Sequence, residues 1–149
     1  MNFDGAVFQE ESATGIGVVI RDEKGLVVAS MADTIHLPNS VAAVEAFATV
    51  KALYFALDIG ASSIILEGDL ECIISALKYN IASLAAYGHL IVEAKSLVRN
   101  FFEVVFCHTQ RQDNSTAHNI AKYVSKLSVW KKDIPPRLFS VILVDAAIP

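Results

Sequence analysis

Three acidic side chains occupy positions where chemistry is to be expected: Asp4 in the opening stretch NFDGA, Glu45 inside a long apolar helical pattern, and Asp69 at the end of IILEGD. Each alone is ordinary. Brought together, they would repel one another unless divalent cations bridged them, so such a cluster implies Mg2+ or Mn2+. Two such ions about 4 Å apart can activate a water and stabilise the leaving oxygen of a phosphodiester. Plainer readings stand beside this one. Asp4 also reads as a strand-end acid, and Asp69 as a helix cap facing free amide donors and the positive end of the helix dipole.

The elements that must position these groups are legible in outline. Asn2 to Val7 reads as a strand. Gly15 to Arg21 and Leu26 to Ser30 read as a hairpin joined by the turn residues Asp22 to Gly25, which completes an antiparallel meander. Asn39 or Ser40 caps an unusually apolar helix from about Val41 to Ile59, ended by Gly60. Lys51 and Asp58 mark its solvent stripe. At ~100° per residue, Glu45 lies about 120° away from that stripe, toward the packed side, where a carboxylate needs a cation, a metal or strong donors. Ile64 to Leu66 is a buried strand running straight into a helix to Leu77, and open α/β sheets place their chemistry at such strand ends. After Asn80 a third helix is marked by Tyr87, Leu90, Ile91, Ala94, Leu97 and Val98. Val104 to Cys107 is a short strand, followed by a polar loop, His108 to Asp113. A fourth helix is capped by Asn114 and shows the apolar stripe Ala117, Ile120, Ala121, Val124 and Leu127. The order β-β-β-α-β-α-α-β-α calls for a mixed sheet with helices on both faces.

Composition narrows the function classes. The chain's 149 residues suit one domain, 1–149, and its abrupt opening suggests a first strand clipped at its start. Hydrophobic content of 54% is high, yet the longest apolar runs fall far short of the ~20 residues of a membrane span. No secretion signal opens the chain, and Cys72 and Cys107 read as small core residues. An intracellular location, nuclear or cytoplasmic, is expected. Twelve basic against sixteen acidic residues, with no basic run, argue against a broad phosphate-binding patch, so any nucleic-acid function relies on a small site or on bound cations.

The segments NFDGA, GIGVVIRDEKG, VEAFATVKALYFAL, IILEGDLECII and VVFCHTQRQDNSTAHNIAKY, in that order, resemble the plant ribonuclease H-like domains, including those attached to LINE-type retrotransposon reverse transcriptases. The likeness spans nearly the whole chain and includes Trp130 and the Pro135-Pro136 pair of the tail, whose apolar end, Phe139 to Val144, is expected to pack back on the domain. The resemblance implies a five-stranded sheet of order 3-2-1-4-5 with the first strand central. It also implies a hydrolase, an endonuclease that cuts the RNA strand of RNA–DNA hybrids with Mg2+ or Mn2+. Asp4, Glu45 and Asp69 match three of the family's four metal-binding carboxylates. His118 stands where the fourth is expected. His108, ten residues earlier, matches a histidine that assists proton transfer or product release, a role that suits the near-neutral titration of an imidazole. Asn114 matches an asparagine read as substrate-binding.

The departures from the family pattern carry weight. Histidine is a poor replacement for a carboxylate on Mg2+. Val41 and Glu71 stand where bacterial relatives use asparagine and glutamine to read the RNA minor groove, and residues 79 to 87 hold no Lys or Arg, so the basic protrusion of some relatives is absent. These features favour an alternative: a catalytically weak or inactive module that binds nucleic acid or protein.

Overall fold

A computed structural model of the chain describes residues 1–79 and 86–127, with the backbone alone for 123–127. The sequence expectations for residues 80–85, for the Val124 and Leu127 side chains and for the tail from Trp130 lie outside the described residues, whereas the helix expected after Asn80 is present. Among the described residues nine regular elements follow one another: β1 (Asn2–Phe8), β2 (Ala13–Arg21), β3 (Val27–His36), α1 (Val41–Asp58), β4 (Ser63–Gly68), α2 (Glu71–Lys78), α3 (Gly88–Val98), β5 (Glu103–His108) and α4 (Ser115–Leu127). Short 3-10 turns at Gln9–Glu11 and Arg111–Asn114 connect β1 to β2 and lead into α4. No helix among the described residues is long and apolar enough to cross a membrane.

The strands form one sheet in the order β3-β2-β1-β4-β5, as the resemblance implied. β1 runs antiparallel to β2, with Asp4 opposite Gly17, and parallel to β4, with Asn2 opposite Glu67. Successive side chains of β1 point to opposite faces. A Cβ on Gly5 would strike Val44 of α1, and one on Gly17, Asp4's partner, would strike the Ala117 carbonyl of α4. The two helices therefore press on opposite faces of the sheet. On the α1 face, Phe3, Leu53, Phe55, Leu66, Ile73, Ile74 and Leu90 form one buried cluster with the sheet, α2 and α3.

The helix ends follow from capping chemistry. Ser40 Oγ accepts from the Ala43 amide at 3.1 Å, so Ser40 and not Asn39 starts α1. Gly60, at a φ of +80°, takes the left-handed backbone that ends it. Lys51 bonds Asp33 of β3 at 2.8 Å, which confirms the outward stripe of α1. Other expectations are corrected. Asp69 caps nothing: the N-cap of α2 is Leu70, with no side-chain bond. Asn114 does not cap α4 either, because the preceding 3-10 turn runs directly into it. Cys72 is exposed on α2 and Cys107 only partly buried, so neither is a core residue.

The ladder between β1 and β4 is short. The Glu67 amide donates to the Met1 carbonyl at 2.8 Å, and the Met1 ammonium donates to the Ile65 carbonyl at 2.7 Å. Burial pushes that ammonium below its usual range. Beyond it, a groove of about 490 Å³ opens between Ile20 and Arg21 of β2 and Ser63 to Ile65 of β4. Three β-forming residues added ahead of Met1 are expected to continue the ladder and to replace the partly buried charge with a peptide group. Two net hydrogen bonds at about 1 kcal/mol each would raise the melting temperature by roughly 4–8 °C. An unchanged melting temperature would show that the groove takes no strand.

Candidate metal centre

The site is built where β1, α1, β4 and α4 meet. Asp4 points from β1 toward α4, and Glu45 lies in the second turn of α1, which approaches β1 closely at Gly5. Asp69 is the first residue past β4, whose last residue, Gly68, lies flat against the Phe3 ring. Asp4 and Glu45 are 5% and 4% exposed, and Asp69 is partly buried. Each of the three offers a carboxylate oxygen, and these oxygens lie within 4.8 Å of one another.

One backbone amide ties two of them together. Gly5 N–H faces Asp4 Oδ1 at 2.9 Å and Glu45 Oε1 at 3.2 Å. Glu45 Oε2 is buried and has no hydrogen-bond partner. A buried carboxylate oxygen in that state costs a kcal/mol or more, on the order of 1–3, unless a proton or cation meets it. Burial accordingly pushes the Glu45 carboxyl far above the usual range, reinforced by Asp4 and Asp69 and opposed by the Gly5 amide. Asp69 is raised too, first by burial and then by Asp4, with Arg111 and His118 opposing. The donor set therefore fits a divalent cation: three clustered hard oxygens, with a buried Glu45 oxygen that no protein donor meets, and carboxyls at Glu45 and Asp69 that burial and one another raise despite the nearby Arg111 and His118.

α4 supplies two neighbours, and His118, expected as a fourth ligand, touches Asp4 but lies outside the group of three mutually close carboxylates. His118 Nδ1 lies 2.7 Å from Asp4 Oδ2, with the imidazole 29% exposed. One turn earlier, Asn114 is 1% exposed and its Nδ2 donates to the Phe3 carbonyl at 2.8 Å. Its Oδ1 is buried and unpartnered. The Asn114 amide thus faces the protein interior, where it pins the start of α4 to β1, and not a substrate surface. His108 ends β5 and does not lie in a loop. It is exposed, and its Nε2 donates to the Asp69 carbonyl at 3.1 Å. Two contributors escaped the sequence reading. The Gly5 amide carries no side-chain signature, and Arg111, whose charge acts on Asp69, was visible only as part of a polar loop.

The raised Glu45 carboxyl predicts a pH slope. In the metal-free protein the folded state holds the Glu45 proton above pH 4.5, where the unfolded chain has released it, so this stabilisation is full below 4.5 and declines as pH rises. Metal-free wild type is expected to lose stability relative to Glu45→Gln between pH 4.5 and 8, and a divalent cation is expected to abolish that decline. Parallel melting curves in chelator and in metal check both; parallel pH profiles for the two proteins would contradict the prediction.

The family described as reverse transcriptase-like matches residues 2–124. No curated protein matches the chain. Among solved structures, ribonuclease H1 of the halophilic archaeon Halobacterium salinarum superposes with a TM-score of 0.76 at 26% identity, covering 83% of this chain and 94% of that one. The N-terminal ribonuclease H domain of a Mycobacterium tuberculosis protein gives 0.74 at 18% identity, over 85% and 92%. LC11-RNase H1, isolated from compost and solved in complex with an RNA/DNA hybrid, gives 0.73 at 20% identity, over 86% and 96%.

Proposed function

The chain belongs to the reverse transcriptase-like family and has the ribonuclease H-like fold, and from that premise we propose that it is a divalent-metal-dependent endonuclease acting on the RNA strand of RNA–DNA hybrids. The observation that carries the proposal is the convergence of Asp4, Glu45 and Asp69 around a buried Glu45 oxygen with no partner. Asp4, Glu45 and Asp69, with His118 beside them, would hold Mg2+ or Mn2+. When bound, such an ion neutralises charge on a phosphodiester and supplies a nucleophile from water at neutral pH.

The chain's own groups do the positioning. The Gly5 amide orients the Asp4 and Glu45 carboxylates, and Asn114 holds α4, and with it His118, against β1. His108 is tethered by Nε2 beside Asp69; its Nδ1 is the nitrogen left to accept a proton from the reaction or pass one to the product. Val41 and Glu71, both exposed at the starts of α1 and α2, offer no side-chain amide to 2′-hydroxyls, while Arg111, whose charge acts on Asp69, places a cation near the centre.

One observation favours a second reading, a weak or inactive nucleic-acid or protein-binding module. His118 contacts Asp4 where the resemblance expects a carboxylate. Incubation with an end-labelled RNA–DNA hybrid in Mg2+ and in Mn2+ separates the two. Cleavage confined to the RNA strand supports the nuclease; hybrid binding without cleavage in either ion supports the module.

A further inference from the structure

We propose that His118 sets the metal preference of this centre, moving it away from Mg2+ and toward divalent transition ions that accept an imidazole nitrogen. The inference rests on the reading of Asp4, Glu45 and Asp69 as a metal centre. It goes beyond that reading in assigning the choice of ion to one side chain on a separate helix.

The geometry gives His118 access to an ion held by Asp4. Its Nδ1 and Asp4 Oδ2 are 2.7 Å apart, and adjacent donors on an octahedral ion with bonds near 2.1 Å are separated by about 3 Å. That contact is a hydrogen bond, so Nδ1 can meet an ion only in exchange for the proton it shares with Asp4; with the proton gone, imidazole and carboxylate are spaced much like two neighbouring ligands of one ion. The ring is held there by more than its own contact. Ala117, Ile120 and Ala121, which flank it on α4, are fully buried against the sheet, and Asn114 fixes the preceding turn to the Phe3 carbonyl. Movement of His118 out of the centre would have to carry the helix with it, or swing the ring into solvent through its exposed edge.

Ligand chemistry then decides the preference. Mg2+ is a hard ion that takes oxygen and keeps its waters, so it gains little from a nitrogen at this position. Mn2+ and Co2+ accept oxygen and imidazole in one coordination shell, and affinity for such mixed sites rises along the transition series. Three carboxylates serve either class of ion. Only the fourth group distinguishes them.

The test uses the full chain freed of metal. MgCl2 and MnCl2 are titrated by calorimetry, and CoCl2 by visible absorbance, into wild type, His118→Asp and His118→Ala, each checked for folding by circular dichroism. The ratio of the Mg2+ to the Mn2+ dissociation constant is expected to be at least tenfold larger in wild type than in His118→Asp, and the Co2+ band is expected to shift in His118→Ala. A ratio equal within twofold across the three proteins, or a Co2+ spectrum unchanged in His118→Ala, overturns the proposal. If Asp4→Asn removes binding while the ratio stays constant, the centre stands and the role of His118 falls. If wild type shows no saturable binding of any of the three ions, the metal centre falls as well.

Discussion

Replacing Asp69 with asparagine is expected to abolish cleavage of the RNA strand of a hybrid in both Mg2+ and Mn2+, by on the order of 10³-fold, while leaving the fold intact. The substitution keeps the side chain's shape and removes one negative charge and one oxygen ligand from a centre whose carboxylates lie within 4.8 Å of one another. A bound divalent ion is worth several kcal/mol of transition-state stabilisation, and each 1.4 kcal/mol is about tenfold in rate. Stability should move the other way. Asp69 lies beside Asp4, and both its burial and that neighbour raise its carboxyl, so the neutral amide relieves a penalty in the metal-free protein. Single-turnover cleavage measured alongside melting in chelator separates the two effects. Activity within tenfold of wild type would remove Asp69 from the centre; a collapse of the melting temperature would make the loss of activity a folding effect.

The largest loss of stability is expected where α4 packs on the sheet. Gly17→Ala should destabilise the protein by about 3 kcal/mol, roughly 6–12 °C in melting temperature, because its Cβ would land on backbone and not on a side chain that can turn aside. The obstacles are the Ala117 carbonyl and the Ala121 amide, and the neighbouring position Gly15 faces the Ala121 carbonyl in the same way. α4 must then lift from β2. His118 and Asn114 ride on that helix, so the lift also separates His118 from Asp4 and weakens metal binding. Unfolding and metal titration of Gly17→Ala test both, and a change under 1 kcal/mol would show that α4 accommodates the methyl group by sliding.

Much of this frame was readable beforehand, and the misses have physical causes. Helix α1 was placed to within a residue at each end because Ser40 and Gly60 are local signals that no tertiary contact overrides. Strand β3 was read as ending at Ser30 but runs to His36. It is an edge strand with its later residues half exposed, so the apolar alternation that marks a strand fades along it. Asn114 looked like a helix cap by type. Its side chain instead bonds a carbonyl 111 residues away, a competition that local pattern cannot reveal. Cys72 sits in an apolar run yet faces solvent, since a short helix such as α2 buries only the stripe of Ile73, Ile74 and Leu77.

The sequence by itself determined the element order and the inward side of α1 on which Glu45 lies, and it singled out Asp4, Glu45 and Asp69, which the structure brings together. It could not determine their arrangement. Asp4 and Glu45 share the Gly5 amide, one Glu45 oxygen is left without a donor, and His118 rests on Asp4, because α1 presses on β1 at Gly5 while α4 presses on the neighbouring β2 at Gly17 from the opposite face. The Gly5–Glu45 and His118–Asp4 contacts join residues 40 and 114 positions apart, and only packing on both faces of a sheet sets distances of that kind.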